Sequence, residues 1–132
     1  MSQRYLLDTN VLSELVRTPA RLQNKIAAAG EANLCTSIVN ACELRFGARK
    51  KGSELLSGRV DRLLDTIEVL PLTDDVDRVY AGIRYRLEAR GRPIGGNDYL
   101  IAAHAIQQDC VLVTQNTKEF KRVSGLNVER WL

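Results

Sequence analysis

Apolar and polar positions alternate along this chain in short blocks that predict a regular succession of strands and helices. Arg4 to Leu7 is a brief apolar run stopped by Asp8, the signature of a buried strand. Val11 to Arg17 has helical spacing and halts before Pro19, and Arg21 to Ala29 is a second helical stretch closed by Gly30. Leu34 to Ser37 reads as a strand, and Val39 to Lys51 as a helix ended by Gly52. Leu55, Leu56, Val60, Leu63 and Leu64 fall at helical spacing within Glu54 to Thr66, and Glu68 to Leu70 forms a strand before Pro71. Thr73 to Asp77 places acids in a first helical turn, and that helix runs to about Arg90. After a loop over Gly91 to Gly96, Asp98 to Gln108 is apolar on nearly every face and therefore a buried helix. Val111 to Thr114 is a strand, Glu119 to Val123 one helical turn, and Val128 to Trp131 a last short strand. Short apolar strands alternating with helices predict a three-layer α/β/α sandwich around a mainly parallel sheet. Ligands of such sheets sit at the carboxyl ends of the strands, which directs attention to Asp8, Ser37 and the loop from Thr114 to Glu119.

The 132 residues suit a single domain spanning 1–132, with no repeat, linker or low-complexity segment. Aromatic residues are only 5% of the chain, so the core must be aliphatic. Three cysteines (Cys35, Cys42, Cys110) and one histidine argue against a zinc site, and unpaired thiols suit a reducing compartment. An acid at position 8 comes too early for a signal peptide, and no apolar run is long enough to span a bilayer. A cytoplasmic protein without membrane association is expected. The net charge of +3 does not announce nucleic acid. Fourteen of the nineteen basic residues are arginine, whose planar fork suits phosphate, although helix-surface arginines explain the count equally well.

Four acids stand where acids are unusual. Asp8 directly follows the first strand, where a helix N-cap is the simplest role. Glu43 sits mid-helix among Val39, Phe46 and Gly47, and a carboxylate on such a face needs a partner: an arginine such as Arg45 or Arg49, or a metal or catalytic role. Asp98 opens the buried helix, as an N-cap unless Asn97 fills that place, and Gly95-Gly96 allows close backbone approach. Glu119, taken alone, is a surface acid. In a parallel α/β sheet these positions can converge at one rim. Carboxylates held together repel one another and need a cation to ionise jointly. Oxygen donors without His or Cys select Mg²⁺ or Mn²⁺, a set suited to phosphodiester hydrolysis. His104 lies about 240° around the helix from Asp98 and points away from it, a structural histidine. Trp131 is an apolar anchor for the C-terminal tail.

With these residues in order, the chain resembles the PIN-domain ribonucleases, specifically the VapC toxins of prokaryotic toxin–antitoxin pairs. The matching pieces are Tyr5-Leu6-Leu7-Asp8-Thr9-Asn10, Glu43-Leu44-Arg45-Phe46-Gly47-Ala48, Gly91-Arg92-Pro93-Ile94-Gly95-Gly96-Asn97-Asp98 with Leu100 to Ala105, and Val113-Thr114-Gln115-Asn116-Thr117-Lys118-Glu119-Phe120. Each is weak alone, but four in order across essentially the whole chain are specific. The resemblance implies a PIN fold with metal ligands at Asp8, Glu43 and Asp98, and Mg²⁺-dependent endonucleolytic cleavage of RNA. It also implies a homodimer and a VapB-type antitoxin whose C-terminal segment blocks the active-site groove. The Gly-Arg-Pro-Ile-Gly loop leans toward members that cut initiator tRNA in the anticodon loop. One departure stands out: many PIN domains carry Asp where this chain has Asn116, so Glu119 is the candidate for the fourth acidic position of the catalytic set.

Basic segments surround the acids: Arg45 to Lys51 beyond Glu43, Arg84 to Arg92 before Asp98, and Lys118, Lys121 and Arg122 beside Glu119. They suit an RNA backbone with its scissile phosphate at the metal. Two other readings compete. A phosphatase would use Asp8 as nucleophile, but the second acid such enzymes carry two residues on is Asn10 here. A non-catalytic nucleic-acid-binding module would show the loss of an acidic ligand, for which Asn116 is the one candidate.

Overall fold

The computed structural model describes residues 3–132. Its centre is a five-stranded sheet in the order β3-β2-β1-β4-β5, with every neighbouring pair parallel. The strands are β1 (Arg4–Leu7), β2 (Leu34–Ser37), β3 (Glu68–Leu70), β4 (Cys110–Val113) and β5 (Val128–Glu129). The helices are α1 (Thr9–Arg17), α2 (Gln23–Ala29), α3 (Ile38–Lys51), α4 (Glu54–Thr66), α5 (Val76–Ala89), α6 (Gly96–Gln107) and α7 (Thr117–Phe120). The sheet is parallel throughout, because each strand returns through at least one helix or 3-10 segment.

Strand periodicity divides the core into two. Leu6, Cys35 and Leu112 face one way, into a cluster with Ile83 and Leu87 of α5 and Tyr99 and Ile101 of α6. Their neighbours Leu7, Leu34 and Val113 face the other way, into a cluster with Val11 and Leu12 of α1, Leu44 of α3 and Leu64 of α4. Successive side chains on a strand point to opposite faces, so this split is what a sheet covered on both sides requires. Residues 99–105 of α6 are buried except Leu100, in keeping with its apolar sequence. Trp131 anchors the tail as expected, with its ring against Tyr5 and its Nε1–H donating to Glu129.

A few boundaries differ from the sequence pattern. α5 begins at Val76 rather than Thr73, because Asp75 takes a left-handed conformation (φ 78°) that no helical turn tolerates. Residues 19–22 form a 3-10 turn led by Pro19, so α2 starts at Gln23. β5 stops at Glu129. Cys35 and Cys110 are buried, with sulfurs 3.9 Å apart, while Cys42 on α3 is exposed. No helix among the described residues is long and apolar enough to cross a membrane.

β1 and β2, then β2 and β3, extend the sheet in one direction. The chain then crosses to the opposite side of β1 to add β4 and β5. The reversal occurs at β1, and ligands of open α/β sheets bind beside such a switch point at the strands' carboxyl ends.

Candidate active site

Asp8 is the first residue beyond β1, beside the end of β4. Its backbone N–H donates to the Val113 carbonyl at 2.9 Å, so the strand pairing itself fixes where the side chain starts. The carboxylate is only 5% exposed. Oδ1 accepts from the Thr9 N–H (2.8 Å) and the Asn40 amide (2.9 Å), and Oδ2 accepts from the Thr114 hydroxyl (2.7 Å). The N-cap role is therefore real, but it uses one of three donors. A carboxylate has about four acceptor positions, so one on Oδ2 is left for another electrophile. Burial pushes the Asp8 carboxyl above its ordinary value, and the charge of Glu43 adds to that, against the lowering effect of its three donors.

Glu43 projects from the second turn of α3. It is half-buried rather than sunk in an apolar face, since its neighbour Phe46 is 68% exposed. Neither expected arginine is its partner. Arg45 pairs with Asp61 of α4, and Glu43 instead accepts from the Thr9 hydroxyl (2.6 Å) and the Asn97 amide (3.2 Å). Asn40, one helical turn earlier, also donates to Thr9 Oγ1 at 3.0 Å, which ties Glu43 and Asp8 into one hydrogen-bonded unit.

Asp98 is the third residue of α6, not its N-cap; Gly95 holds that position. Its carboxylate folds back over Gly95 so closely that a Cβ there would stand 3.2 Å from Oδ2. Burial first, and then the charges of Asp8, Glu43 and Glu119, push the Asp98 carboxyl up to about 6. Asn97, the residue before Asp98, donates to Glu43, and α7 with Glu119 follows β4, whose end lies beside Asp8, so the chain brings the four acids toward the same strand-end rim. Glu119, on α7, is half-buried rather than a plain surface acid. Asn116 gives its backbone N–H to Thr114 Oγ1 at 2.9 Å, while its side chain makes no cap to α7.

Two positioning residues, Thr114 and Asn40, had no individual place in the sequence pattern, and Asn97 enters it only as a cap candidate. The usable signal was polar identity at sites that the fold buries, since Asn40 and Thr114 are both fully buried. His104 lies away from the rim. Its Nδ1 shares a hydrogen bond with Ser37 Oγ at 2.7 Å, and burial pushes its pKa down, as befits a neutral structural histidine.

Among the described residues no three acidic, histidine or cysteine side chains form a closed coordination cluster. The acids are spread along the rim, and neutral donors hold Asp8 and Glu43. A divalent cation nevertheless fits the chemistry of this set: all donors are oxygens, and Asp8 keeps a free acceptor position on Oδ2.

A five-stranded all-parallel sheet covered by helices on both faces, with Asp8 beside its switch point, is the architecture of PIN-domain proteins. A sequence profile of the PIN domain matches residues 5–126, and the chain belongs to that family. Within it, the chain is one of the VapC-type ribonucleases. It is 35% identical to ribonuclease VapC2 of Rickettsia felis, over 96% of this chain and 97% of that protein. It is 34% identical to the tRNA(fMet)-specific endonuclease VapC of Shigella flexneri, over 97% and 98% respectively. Among solved structures, VapBC2 from Rickettsia felis bound to a DNA fragment from its promoter superposes with a TM-score of 0.91 at 32% identity, covering 98% of this chain and 100% of that one. The three-layer fold read from the sequence is thereby established, and the phosphatase reading falls with the family assignment.

Proposed function

We propose that this chain is the toxin of a toxin–antitoxin pair and that it hydrolyses RNA phosphodiester bonds in the cytoplasm, with Asp8, Glu43 and Asp98 holding Mg²⁺ (or Mn²⁺ as a substitute). The observation that carries this reading is the hydrogen-bonded unit that joins Asp8, just beyond β1, to Glu43 on α3 through Asn40 and Thr9, with Asn97, the residue before Asp98, donating to Glu43. A bound divalent cation would neutralise that shared charge, polarise the scissile phosphate and lower the pKa of the attacking water. The protein's own part is positioning. Thr114 and Asn40 fix Asp8, Thr9 and Asn97 aim Glu43, and the bare Gly95 leaves room for Asp98. Glu119, half-buried on α7, is the candidate for the fourth acidic position, where Asn116 supplies no charge.

Transfer RNA, and initiator tRNA in particular, is the proposed substrate. Its support is the tRNA(fMet) specificity in the names of the Shigella flexneri relative and of a Salmonella typhimurium relative 30% identical to this chain. A VapB-type antitoxin is the proposed partner, since the Rickettsia felis and Salmonella typhimurium structures are VapBC complexes. Its blocking segment has a suitable seat: a cavity of about 190 Å³ runs from Thr9 and Glu43 along Leu44, Ala48 and Val60 between α1, α3 and α4. A homodimer is proposed with it, to be read by sedimentation.

The deciding experiment is 5′-end mapping of cellular RNA after brief expression, beside cleavage of purified tRNA. Cuts confined to tRNA, lost with EDTA and lost in a folded Asp98→Asn variant, are expected. Full cleavage by Asp98→Asn, or in EDTA, overturns the reading. RNA binding without any cutting by the parent protein would favour the non-catalytic module instead.

A further inference from the structure

The structure sorts the basic residues that the sequence could only count. Arg4, Arg17, Arg21, Arg45, Arg78 and Arg84 are each paired with an acid. A second group is not. Arg86, Arg90, Arg92, Lys118, Lys121 and Arg122 take part in no ion pair among the described residues, and they line two adjoining pockets, together a basic cleft, with no acid among its described walls. The cleft has two lobes, of about 180 and 300 Å³, which share Arg90, Arg122 and the buried floor residue Leu87. It draws on three separate segments: the last turns of α5, the loop 91–95, and α7 with the residues after it. Arg122 braces it, donating from Nη1 to the Pro93 carbonyl at 3.0 Å, while its Nε is buried and without a hydrogen-bond partner among the described residues.

Gathering six like charges is unfavourable unless a polyanion comes to meet them. The cleft adjoins the acidic rim twice: Lys118 precedes Glu119, and the loop carrying Arg92 leads directly into Asp98. Two joined lobes make a track for successive charges rather than a pocket for one. No aromatic side chain among the described residues lines it, so it offers bases nothing to stack on.

We infer that this cleft is a second RNA site, a sequence-independent track for the phosphate backbone that flanks the scissile bond. It rests on the ribonuclease reading and extends it: the track supplies affinity, and base selection occurs elsewhere on the molecule.

The test pairs two measurements. KM and kcat are determined with total bacterial tRNA and Mg²⁺. The affinity of a short fluorescein-labelled single-stranded RNA is followed against salt in an Asp98→Asn background, where nothing is cut. In R90Q/K121Q, KM should rise several-fold with kcat unchanged. The slope of log affinity against log salt should shrink by about 1.4, or about 0.7 for each single-strand phosphate that the protein no longer neutralises. R92Q/K118Q should repeat this result, R90K/K121R should restore the parent slope, and R59Q/R62Q, on α4, should match the parent. Parent-like slope and KM in both cleft pairs overturn the inference while the ribonuclease reading stands. Labelled polyglutamate is titrated as a control, and its loss from both cleft pairs with RNA binding intact overturns the inference in favour of an acidic polypeptide. A parent that neither binds nor cuts RNA overturns both.

Discussion

Thr114 joins two segments of the site. Its hydroxyl donates to Asp8 Oδ2 and accepts from the Asn116 N–H, so it links the end of β4 to the carboxylate beyond β1. Thr114→Val removes these bonds, and a third from the Asn10 amide at 3.4 Å, without changing the side chain's shape. We expect a 10–100-fold loss of cleavage or metal affinity, by analogy with other residues that hold metal ligands in place, and about 1–2 kcal/mol of stability. Single-turnover kinetics and a denaturant melt check the two figures. Asp98 gives the opposite sign. Its carboxyl titrates near 6 in the fold and near 3.8 in the open chain, so the folded state holds the proton more tightly. Without metal, stability falls as pH rises between those values. Asp98→Asn should therefore melt above the parent at pH 7, by about 1 kcal/mol once solvent screening is allowed for, and converge with it below about pH 4. Added Mg²⁺ should stabilise the parent and leave the variant unmoved. In the sequence Asp8, Glu43 and Asp98 stand out as acids after a strand, mid-helix and at the start of a buried helix, and the family resemblance, rather than local pattern, groups them as ligands. Their partners do not stand out. Thr9, Asn40 and Asn97 reach them across separations of up to 54 residues in the chain, which no local pattern encodes.

At the scale of elements, every strand and helix was visible as a block of hydrophobic periodicity, and the misplacements all fall at ends. The start of α5 moved because one residue, Asp75, adopts a backbone conformation that its acid-rich neighbourhood does not announce. The entry to α6 is more consequential. Gly95 takes an ordinary helix-cap conformation (φ −62°, ψ 152°), so alanine is acceptable to the backbone. The conflict is with Asp98 Oδ2, 3.2 Å from the added Cβ. Gly95→Ala should therefore leave the melting temperature nearly unchanged while weakening Mg²⁺-supported cleavage. A metal titration of activity, set beside a thermal melt, separates this from a folding defect, which would lower both together.

At the scale of the whole molecule, the sheet order is the feature the sequence could not supply. Alternating strands and helices announce a parallel sheet, but the placement of β4 beside β1 rather than β3 follows from long-range packing on the second face. That placement makes β1 central, paired on both sides and covered on both faces. Hydrogen exchange should reach its slowest values at the amides of β1, and protection there no greater than in the edge strands β3 and β5 would refute it. The same order turns the near-neutral charge into a sum of opposites: an acidic rim at the switch point and a basic cleft beside it, nearly cancelling in the total of +3.

The three thiols have a practical use. Two are sealed beneath the sheet's covering helices, and Cys42 stands exposed one position before Glu43. A maleimide fluorophore should thus couple at a single point without any engineered substitution. The dye would sit on α3, one residue from Glu43 in the chain, and a change in its emission on adding RNA or a blocking polypeptide would report arrival in real time.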